Sequence, residues 1–287
     1  MIARELHTWL RGLHAVAEPS VDRIVVGDGS TVVRGVAVVW MPTWAALRAA
    51  HAQGLNVVIA HEPTFYTHYD LDGFEAAWAE LPETARHAVA ATGGAKRRWI
   101  EEHGMVVIRC HDVLDTMPGG VVDCLAAELA AAVGFELAAL TEPAPRYRVA
   151  RLAEPARAGE VARRLAVVFG KIGQPGVAFY GDADRVVRSL GLGTGYGNDP
   201  WKHFSHGAEM ALAIDDRIKC WTEPVWAEDA GYPVVVINHG TSEEWGVRRL
   251  AEIVGAAHPT LRVELIAQGC GYRWIAGGEL NPSRRPR

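Results

Sequence analysis

The sequence predicts an α/β protein with layered, mostly parallel sheets, flanking helices and two lobes. Short β-branched runs alternate along the chain with Ala-, Leu- and Arg-rich stretches whose apolar residues recur at helical spacing. This alternation is typical of strands joined by crossover helices, which make neighbouring strands parallel. With 287 residues, of which 49% are hydrophobic, the chain can bury one large core or two packed lobes.

The first half of the chain is expected to contain three units, each made of a strand and a helix. The strands are RGVAVVW at 34–40, NVVIA at 56–60 and MVVIRC at 105–110, and the helices that follow cover 43–53, 83–103 and 119–134. The strands are rich in valine and isoleucine, which favour extended backbone. These units form the predicted N-terminal lobe, residues 1–140, which carries the first metal motifs.

A proline-spaced segment, residues 140–160, is expected to lead into a C-terminal lobe over residues 141–287 that closes the metal site. The lobe is predicted to contain a helix at 161–173 and strands at 185–193 and 233–238. Composition predicts that residues 141–146 and 277–287 are poorly ordered.

Charge and hydropathy exclude several functions. The formal net charge is −5 and the main basic cluster is the tail SRRPR, so nucleic acid is not an expected partner. No apolar run approaches the roughly 20 residues that span a bilayer, so we expect a cytoplasmic protein without a membrane partner. The four cysteines are scattered and predict neither a zinc knuckle nor a disulfide framework.

Three predicted strands end in a histidine, namely NVVIAH at His61, MVVIRCH at His111 and PVVVINH at His239. In open α/β sheets, ligands bind beyond the carboxyl ends of the strands. A single histidine at such a position is usually structural, but each of these has carboxylates within a few residues. The pattern therefore predicts that three imidazoles meet carboxylates at one rim.

The segment HEPTFYTHYD, residues 61–70, carries the first two candidate ligands. Pro63 restricts Glu62 to extended geometry, in which His61 and Glu62 point to opposite sides. The pair can therefore serve two different metals, or one metal and its bridging solvent. The alternative for Glu62 is a solvated carboxylate in a turn.

The segment HDVLD, residues 111–115, supplies the next candidates. Asp115 follows the strand-end histidine by four residues and lies near a helix start, which makes it a candidate ligand. Asp112 is the weaker candidate ligand, because only its position beside His111 favours it. His111 can be a ligand or can orient one, and the second role is preferred.

The segment NHGTSEEWG, residues 238–246, holds the last pair of candidates. Thr241 and Glu244 have the spacing of a capping box. If Glu244 folds back on the helix start, Glu243 is free to meet His239. The alternative is that both glutamates merely favour the positive end of the helix dipole.

The glycine-rich run GLGTGYG, residues 191–197, follows a predicted strand but does not fit a Rossmann nucleotide site. Tyr196 stands where G-x-G-x-x-G requires its third glycine. Plain turn formation is the preferred interpretation, and a close backbone turn beside the substrate crevice is the alternative.

These motifs resemble those of the Nif-three-like family, often called GTP cyclohydrolase type-two homologues. The family's His-His-Pro-x-x-Phe is similar to His61, Glu62, Pro63 and Phe65, with Phe65 one position closer to the proline, its His-Thr-x-x-Asp is similar to His111 and Asp115, and its Gly-His-x-x-x-Glu to Asn238, His239 and Glu243. DRIVVGDG at 22–29 resembles the family's opening segment in weakened form. Glu62 replaces the family's second histidine, Asp112 a threonine and Asn238 a glycine.

The resemblance implies a homohexameric ring whose subunits each hold a dinuclear metal centre. Its protein ligands would be His61, Glu62, Asp115, His239 and Glu243, and its two divalent ions would be manganese, iron or zinc. Because Glu62 adds a third carboxylate, manganese and iron are favoured over zinc.

The activity that the resemblance implies is hydrolysis of a small molecule, at a C–N bond of a heterocycle if the cyclohydrolase label applies. The ions would activate water and polarise the bond, and His111 would transfer protons. Phe65, Tyr66, His68 and Trp245 are candidates for lining the substrate pocket, although ordinary packing explains them equally well. The alternative is a non-catalytic metal-binding regulatory or scaffold ring, which needs no open coordination position beside a pocket.

Overall fold

The computed structural model describes residues 1–144, 146–196 and 198–275, which form two β-sheets flanked by helices. The predicted α/β class is confirmed. The segment 277–287, which the sequence predicts to be poorly ordered and which contains the basic tail, lies outside the described residues, as does Gly197. Within the described part of the chain, no helix is long and apolar enough to cross a membrane.

The chain begins with the elements of the first sheet and its helices. These are α1 (Ala3–Arg11), β1 (Ile24–Val26), β2 (Val36–Val39), α2 (Trp44–Ala52), β3 (Val57–Ala60), α3 (Phe74–Ala77), α4 (Glu83–Glu102), β4 (Val106–Arg109), α5 (Asp112–Thr116) and α6 (Val121–Val133). The three strands predicted in this half correspond to β2, β3 and β4. Every residue in them is buried, as expected for parallel strands covered on both faces.

Most of the remaining elements belong to the second sheet. They are β5 (Thr141–Ala144), β6 (Tyr147–Arg157), α7 (Ala158–Gly170), β7 (Ala178–Tyr180), β8 (Val186–Gly193), α8 (Pro200–Ser205), β9 (Met210–Ile214), α9 (Glu223–Ala230), β10 (Val234–Ile237), α10 (His239–Ala257) and β11 (Val263–Leu265).

The segment 140–160, predicted as a proline-spaced connection, instead contributes β5 and the whole of β6. Residues 141–144, predicted to be poorly ordered, form β5 and pair with β6. Tyr147, Ala150 and Leu152 bury their side chains while the backbone of β6 pairs with β8. This burial and pairing outweigh the prolines, which in strands are tolerated at edges and irregularities.

The two sheets differ in strand direction. The first has the order β1-β4-β3-β2-β11, and only β1 is antiparallel to its neighbour. The second has the order β5-β6-β8-β9-β10-β7, and only the pairs among β8, β9 and β10 are parallel. The prediction of mostly parallel sheets therefore holds for the first sheet and is wrong for the second. A tight connection such as that between β5 and β6 makes neighbours antiparallel, because a parallel pair needs a crossover.

Two helices connect the cores of the two sheets. In α6, Val121 packs in the core of the first sheet, whereas Leu125 and Leu129 pack in the core of the second. Helix α10 adds Leu250 to the first core. It lies so close to α6 that a Cβ added to Gly246 would come 2.5 Å from Val121 Cγ1. After α10 the chain returns to the first sheet as β11, which the sequence had placed in the C-terminal lobe.

Candidate metal centre

The carboxyl ends of β3 and β4 bring two of the strand-end histidines together. These strands are parallel neighbours with Ala60 opposite Arg109, so His61 and His111 follow at the same edge. Their rings stack with centroids 4.6 Å apart and planes within 9°. The third histidine, His239, follows β10 of the second sheet. The prediction of one shared rim is therefore wrong in detail, because the three histidines follow the carboxyl ends of strands in two different sheets, and these ends face each other.

Three buried carboxylates lie between these histidines. His61 Nε2 is 3.5 Å from Asp115 Oδ1 and 3.3 Å from Glu243 Oε2. His239 Nε2 is 3.1 Å from the same Glu243 oxygen and 3.2 Å from Glu62 Oε1. The structure thus brings together all five predicted ligands. Glu62 is 7% exposed, so it is not the solvated turn residue that the sequence left open.

Helix α10 places His239 and Glu243 on one face, since residues four apart are neighbours on a helix. The capping box predicted for Thr241 and Glu244 is wrong. The helix begins one turn earlier, with Asn238 as its N-cap. Glu244 instead accepts hydrogen bonds from the backbone N–H groups of Gly269 (3.0 Å) and Gln268 (3.2 Å), because the segment before the described C-terminus passes over the helix start.

All three histidines have the same orientation. Nδ1 lies 3.3 Å from the carbonyl oxygen of Cys110 in His61, 3.0 Å from Asp112 Oδ1 in His111 and 2.8 Å from Asp216 Oδ2 in His239. An oxygen acceptor at Nδ1 makes that nitrogen the donor and leaves Nε2 as the atom that can bind a metal ion or, without metal, a proton. Metal-ligating histidines use this arrangement. It favours a ligand role for His111 over the proton-transfer role that the sequence suggested.

Several buried polar atoms in the cluster lack a hydrogen-bond partner. Among the described residues, His61 Nε2, His239 Nε2 and Asp115 Oδ1 make no hydrogen bond of acceptable geometry. Buried polar atoms are rarely left unpaired, because desolvation without a partner costs free energy. Donor atoms of His61, His111 and Asp115 lie within 4.8 Å of one another, as do those of His61, Glu62 and Glu243. The residues present therefore fit metal ions.

The electrostatics of the cluster also favour cations. Burial lowers the pKa of His61, but the carboxylates of Glu243, Asp115 and Glu62 outweigh burial and raise that pKa to about 9. Burial likewise lowers the pKa of His239, and Glu243 contributes most to raising it well above its usual value. Burial raises the pKa of Glu62, whereas contact with His239 lowers it, to about 2. Without metal, protons occupy the positions where cations are most stable.

Residues distant in sequence support the ligands, and the sequence motifs did not reveal them. Trp40 donates from Nε1 to Glu243 Oε2 at 2.8 Å. Asp22 caps the start of α5 by accepting from the backbone N–H groups of Asp112 (3.0 Å) and Val113 (2.8 Å), and also from His111. For Asp22, the sequence signal was the weak resemblance of the segment 22–29 to the family's opening segment.

A cavity of about 1060 Å³ opens beside the cluster. Its walls include four of the five predicted ligands, Glu62, Asp115, His239 and Glu243, together with His111, and a set of aromatic and cationic side chains: Trp40, Trp44, Tyr66, His68, Tyr69, Lys96, Arg146 and Tyr196. Tyr66 and His68, two of the four candidates for lining a substrate pocket, line this cavity. Phe65 and Trp245 do not line the cavity, because Phe65 is buried in the core of the first sheet and Trp245 packs on Phe169 in the other core.

The glycine-rich run also borders this cavity. Thr194, Gly195 and Tyr196 line it, and Gly195 has a φ of 69°. A Cβ at Gly195 would lie 3.1 Å from Glu243 Oε1 and 3.6 Å from His239 Nε2. The interpretation as a plain turn was therefore incomplete, and the alternative of a close backbone approach beside the crevice describes this segment.

The fold and the cluster define a two-sheet α/β protein with a buried histidine and carboxylate centre at the facing edges of its sheets. A profile of the Duf34/NIF3 (NGG1p interacting factor 3) family matches residues 83–269. The chain belongs to this family, as the resemblance of its motifs predicted. The matched range contains His111, Asp115, His239 and Glu243 but neither His61 nor the divergent Glu62.

Solved structures show the same fold at low sequence identity. Staphylococcus aureus hypothetical protein SA1388 is 18% identical with a TM-score of 0.72, and the match covers 96% of this chain and 99% of that one. A Bacillus cereus protein related to NIF3 is 15% identical (TM-score 0.68; 96% and 99% covered), and reduced HcgD from Methanocaldococcus jannaschii is 15% identical (0.64; 93% and 98%). No curated protein matches the sequence.

Proposed function

We propose that this protein is a dinuclear-metal-dependent hydrolase that acts on a small molecule. The observation that carries the proposal is the position of the donor cluster, which is buried on one side and faces a cavity of about 1060 Å³ on the other. A protein that only stores metal needs closed coordination, whereas hydrolysis needs an open position next to space for a substrate. This arrangement supports catalysis over the non-catalytic ring.

Six side chains are proposed to hold the two ions. His61, His111 and Asp115 would bind one, and Glu62, His239 and Glu243 would bind the other. Glu243 Oε2 lies 3.3 Å from His61 Nε2 and 3.1 Å from His239 Nε2, so its carboxylate stands between the two positions. Three carboxylates bring three negative charges against four positive ones, a donor set that favours manganese or iron over zinc.

Two divalent ions supply Lewis acidity, which makes water nucleophilic near neutral pH and polarises the bond to be broken. The residues of the chain bind and orient the substrate. His68 takes the proton-transfer role in place of His111. It lines the cavity edge-on to His111, and burial together with the charge of Arg109 lowers the pKa of His68. A neutral imidazole at pH 7 can accept a proton.

The substrate class follows partly from the walls of the cavity. Trp40, Tyr66 and Tyr196 offer aromatic surface, and Lys96 and Arg146 offer positive charge. Aromatic walls suit a planar ring. A heterocycle whose C–N bond is hydrolysed, as the family label suggests, is compatible with these walls.

The chain is also proposed to assemble into a homo-oligomer, which the family resemblance specifies as a hexamer. Large apolar side chains stand exposed on the described surface, among them Trp221 and Ile275 at 81%, Val167 at 68% and Phe204 at 55%. Of these, Phe204 packs edge-on against Trp226, which also contacts Trp201, and a contiguous apolar group of this kind is typical of a contact surface. Light scattering of the purified protein measures the assembly directly, and a monomer would contradict the proposal.

The decisive experiment combines metal content with activity. Protein purified without chelator should contain about two manganese, iron or zinc ions per chain, as dinuclear hydrolases do. Asp115→Ala should lose at least one ion and all hydrolysis of a panel of heterocycles that includes GTP. Asp28→Ala, at an exposed carboxylate remote from the cluster, is the matched control and should keep the full metal content and the hydrolytic activity. Full metal content without any hydrolysis would favour the non-catalytic ring, and no bound metal would contradict both functions.

A further inference from the structure

Glu62 divides its carboxylate between the metal centre and a buried guanidinium. Oε1 lies 3.2 Å from His239 Nε2 and 3.8 Å from His111 Nε2. Oε2 lies 3.5 Å from Nη2 of Arg109. One oxygen therefore faces the ligand cluster while the other faces Arg109.

Arg109 is fixed in place by the elements around it. It is the last residue of β4 and is 1% exposed. Its Nε donates to the carbonyl oxygen of His61 at 3.2 Å, and its Nη1 donates to that of His68. Because these bonds hold the flat guanidinium on two sides, the direction of Nη2 is set by the fold. Among the described residues Nη2 has no hydrogen-bond partner, so Glu62 is the group it faces.

Asp70 does not compete fully for this guanidinium. Its Oδ2 lies 3.6 Å from Arg109 Nη1, on the side away from Glu62. Its Oδ1 already accepts from the backbone N–H groups of Thr64 (2.6 Å) and Phe65 (3.0 Å). A buried arginine is stable only with anionic partners, and here it stands between two of them.

A glutamate ligand is free to offer one oxygen or both to a metal ion. With Oε2 directed towards Arg109, Glu62 can offer only Oε1. We infer that Arg109 is a positioning residue of the metal centre, which fixes Glu62 as a one-oxygen donor and offsets part of its charge. This inference rests on the proposed metal centre, but not on which reaction the protein catalyses.

The inference makes the effect of Arg109 depend on residue 62. With Glu62 present, removal of the guanidinium frees the carboxylate to rotate away from the donor position. With an imidazole at position 62, no carboxylate remains to be oriented, and the guanidinium acts on the metal only by repulsion. A double-mutant cycle isolates this dependence, since it measures the interaction between two residues rather than either effect alone.

The test uses Mn²⁺ as the probe and four proteins: wild type, Arg109→Met, Glu62→His and the double variant. Electron paramagnetic resonance of free Mn²⁺ gives the dissociation constants. Arg109→Met should raise the Kd by about 10- to 100-fold in the Glu62 background, the range found for groups that orient metal ligands. In the Glu62→His background the same substitution should leave the Kd unchanged or lower it.

Controls keep the outcome decisive. If circular dichroism shows that Arg109→Met is unfolded, Arg109→Lys replaces it. Lysine keeps the charge but loses the planar fork, so the same changes in Kd are expected in the two backgrounds. Arg262→Met removes an exposed ion pair with Glu264 and should not change the Kd for Mn²⁺ in either background. Equal losses of Mn²⁺ affinity in both backgrounds would overturn the role of Arg109. Failure of the wild type to bind Mn²⁺ would instead contradict the metal centre itself.

Discussion

At the level of single residues, proton binding and the proposed metal binding compete for the same imidazoles of the centre. His61 and His239 have raised pKa values because three buried carboxylates outweigh the effect of burial on their imidazoles. At pH 7 both rings are therefore protonated in the metal-free protein. A metal ligand must be deprotonated, so metal binding releases these protons and becomes tighter as pH rises.

The protonated imidazoles should also make the metal-free protein sensitive to alkaline pH. The pKa of His61 is about 9 in the folded chain and near its ordinary value of 6.5 in the unfolded chain. Its contribution to stability is complete below pH 6.5 and is lost as pH rises through 9. We expect the Tm measured in chelator to fall over this interval.

His61→Asn provides the control for this pH dependence, because its amide does not titrate. Its Tm in chelator should change less between pH 6.5 and 9 than that of the wild type. The metal-loaded wild type should show little change, because metal replaces the proton. Identical pH profiles for the variant and the wild type in chelator would mean that His61 is not the titrating group.

Motif spacing predicted which residues meet but not what supports them. His61, Asp115 and Glu243 could be selected because each stands at a strand end or a helix start beside another donor. Trp40 contacts Glu243 across 203 positions of sequence, so no local pattern reveals the contact. Phe65 and Trp245 were misassigned because the sequence does not show which face of a loop or helix meets the core.

At the level of elements, the position of α10 depends on a glycine. A Cβ at Gly246 would lie 2.5 Å from Val121 Cγ1 and 2.7 Å from its Cα, so α6 and α10 could not keep their present separation. Helix α10 begins with His239 and Glu243, so a displaced helix moves two donors at once.

Gly246→Ala should therefore destabilise the protein and weaken metal binding. Forcing a methyl group into a packed interface costs roughly 1–3 kcal/mol. Gly255→Ala, in the same helix, is the matched control because its added Cβ would meet only Val263 Cβ at 3.9 Å. There alanine should raise stability by up to about 1 kcal/mol, from helix propensity alone. Denaturant unfolding in chelator measures the free energy of unfolding of both variants. An unchanged free energy of unfolding in Gly246→Ala would show that the helices can separate without cost.

The burial pattern of each strand explains which elements the sequence predicted well. Strands β2, β3 and β4 are continuous buried runs followed by periodic helices, and this pattern identifies a parallel sheet. Strand β6 carries Arg151, Pro155 and Arg157 at exposed positions, and these concealed the burial of Tyr147, Ala150 and Leu152. The direction of the second sheet's outer strands depends on pairing between distant segments, which propensity does not encode.

At the level of the whole molecule, the centre joins the two sheets. His61, Glu62, His111 and Asp115 follow strands of the first sheet, whereas His239 and Glu243 follow β10 of the second. Metal bound by both groups connects the sheets directly. It adds to the connection that α6 and α10 already make by packing side chains into the cores of both sheets.

Metal should accordingly protect distant segments of the chain together. Ligand at 100 times its Kd stabilises the bound state by about 2.7 kcal/mol, which limits the slowing of amide exchange to about 100-fold. Mn²⁺ should slow amide hydrogen exchange in segments 60–64, 109–116 and 238–244 by a similar factor, because each segment supplies donors to one centre. The exposed turn at 182–185 should not respond, and Asp115→Ala should reduce the effect in all three segments at once. Protection confined to 60–64 and 109–116 would mean that metal binds the first sheet alone, and the proposed ion at Glu62, His239 and Glu243 would be wrong.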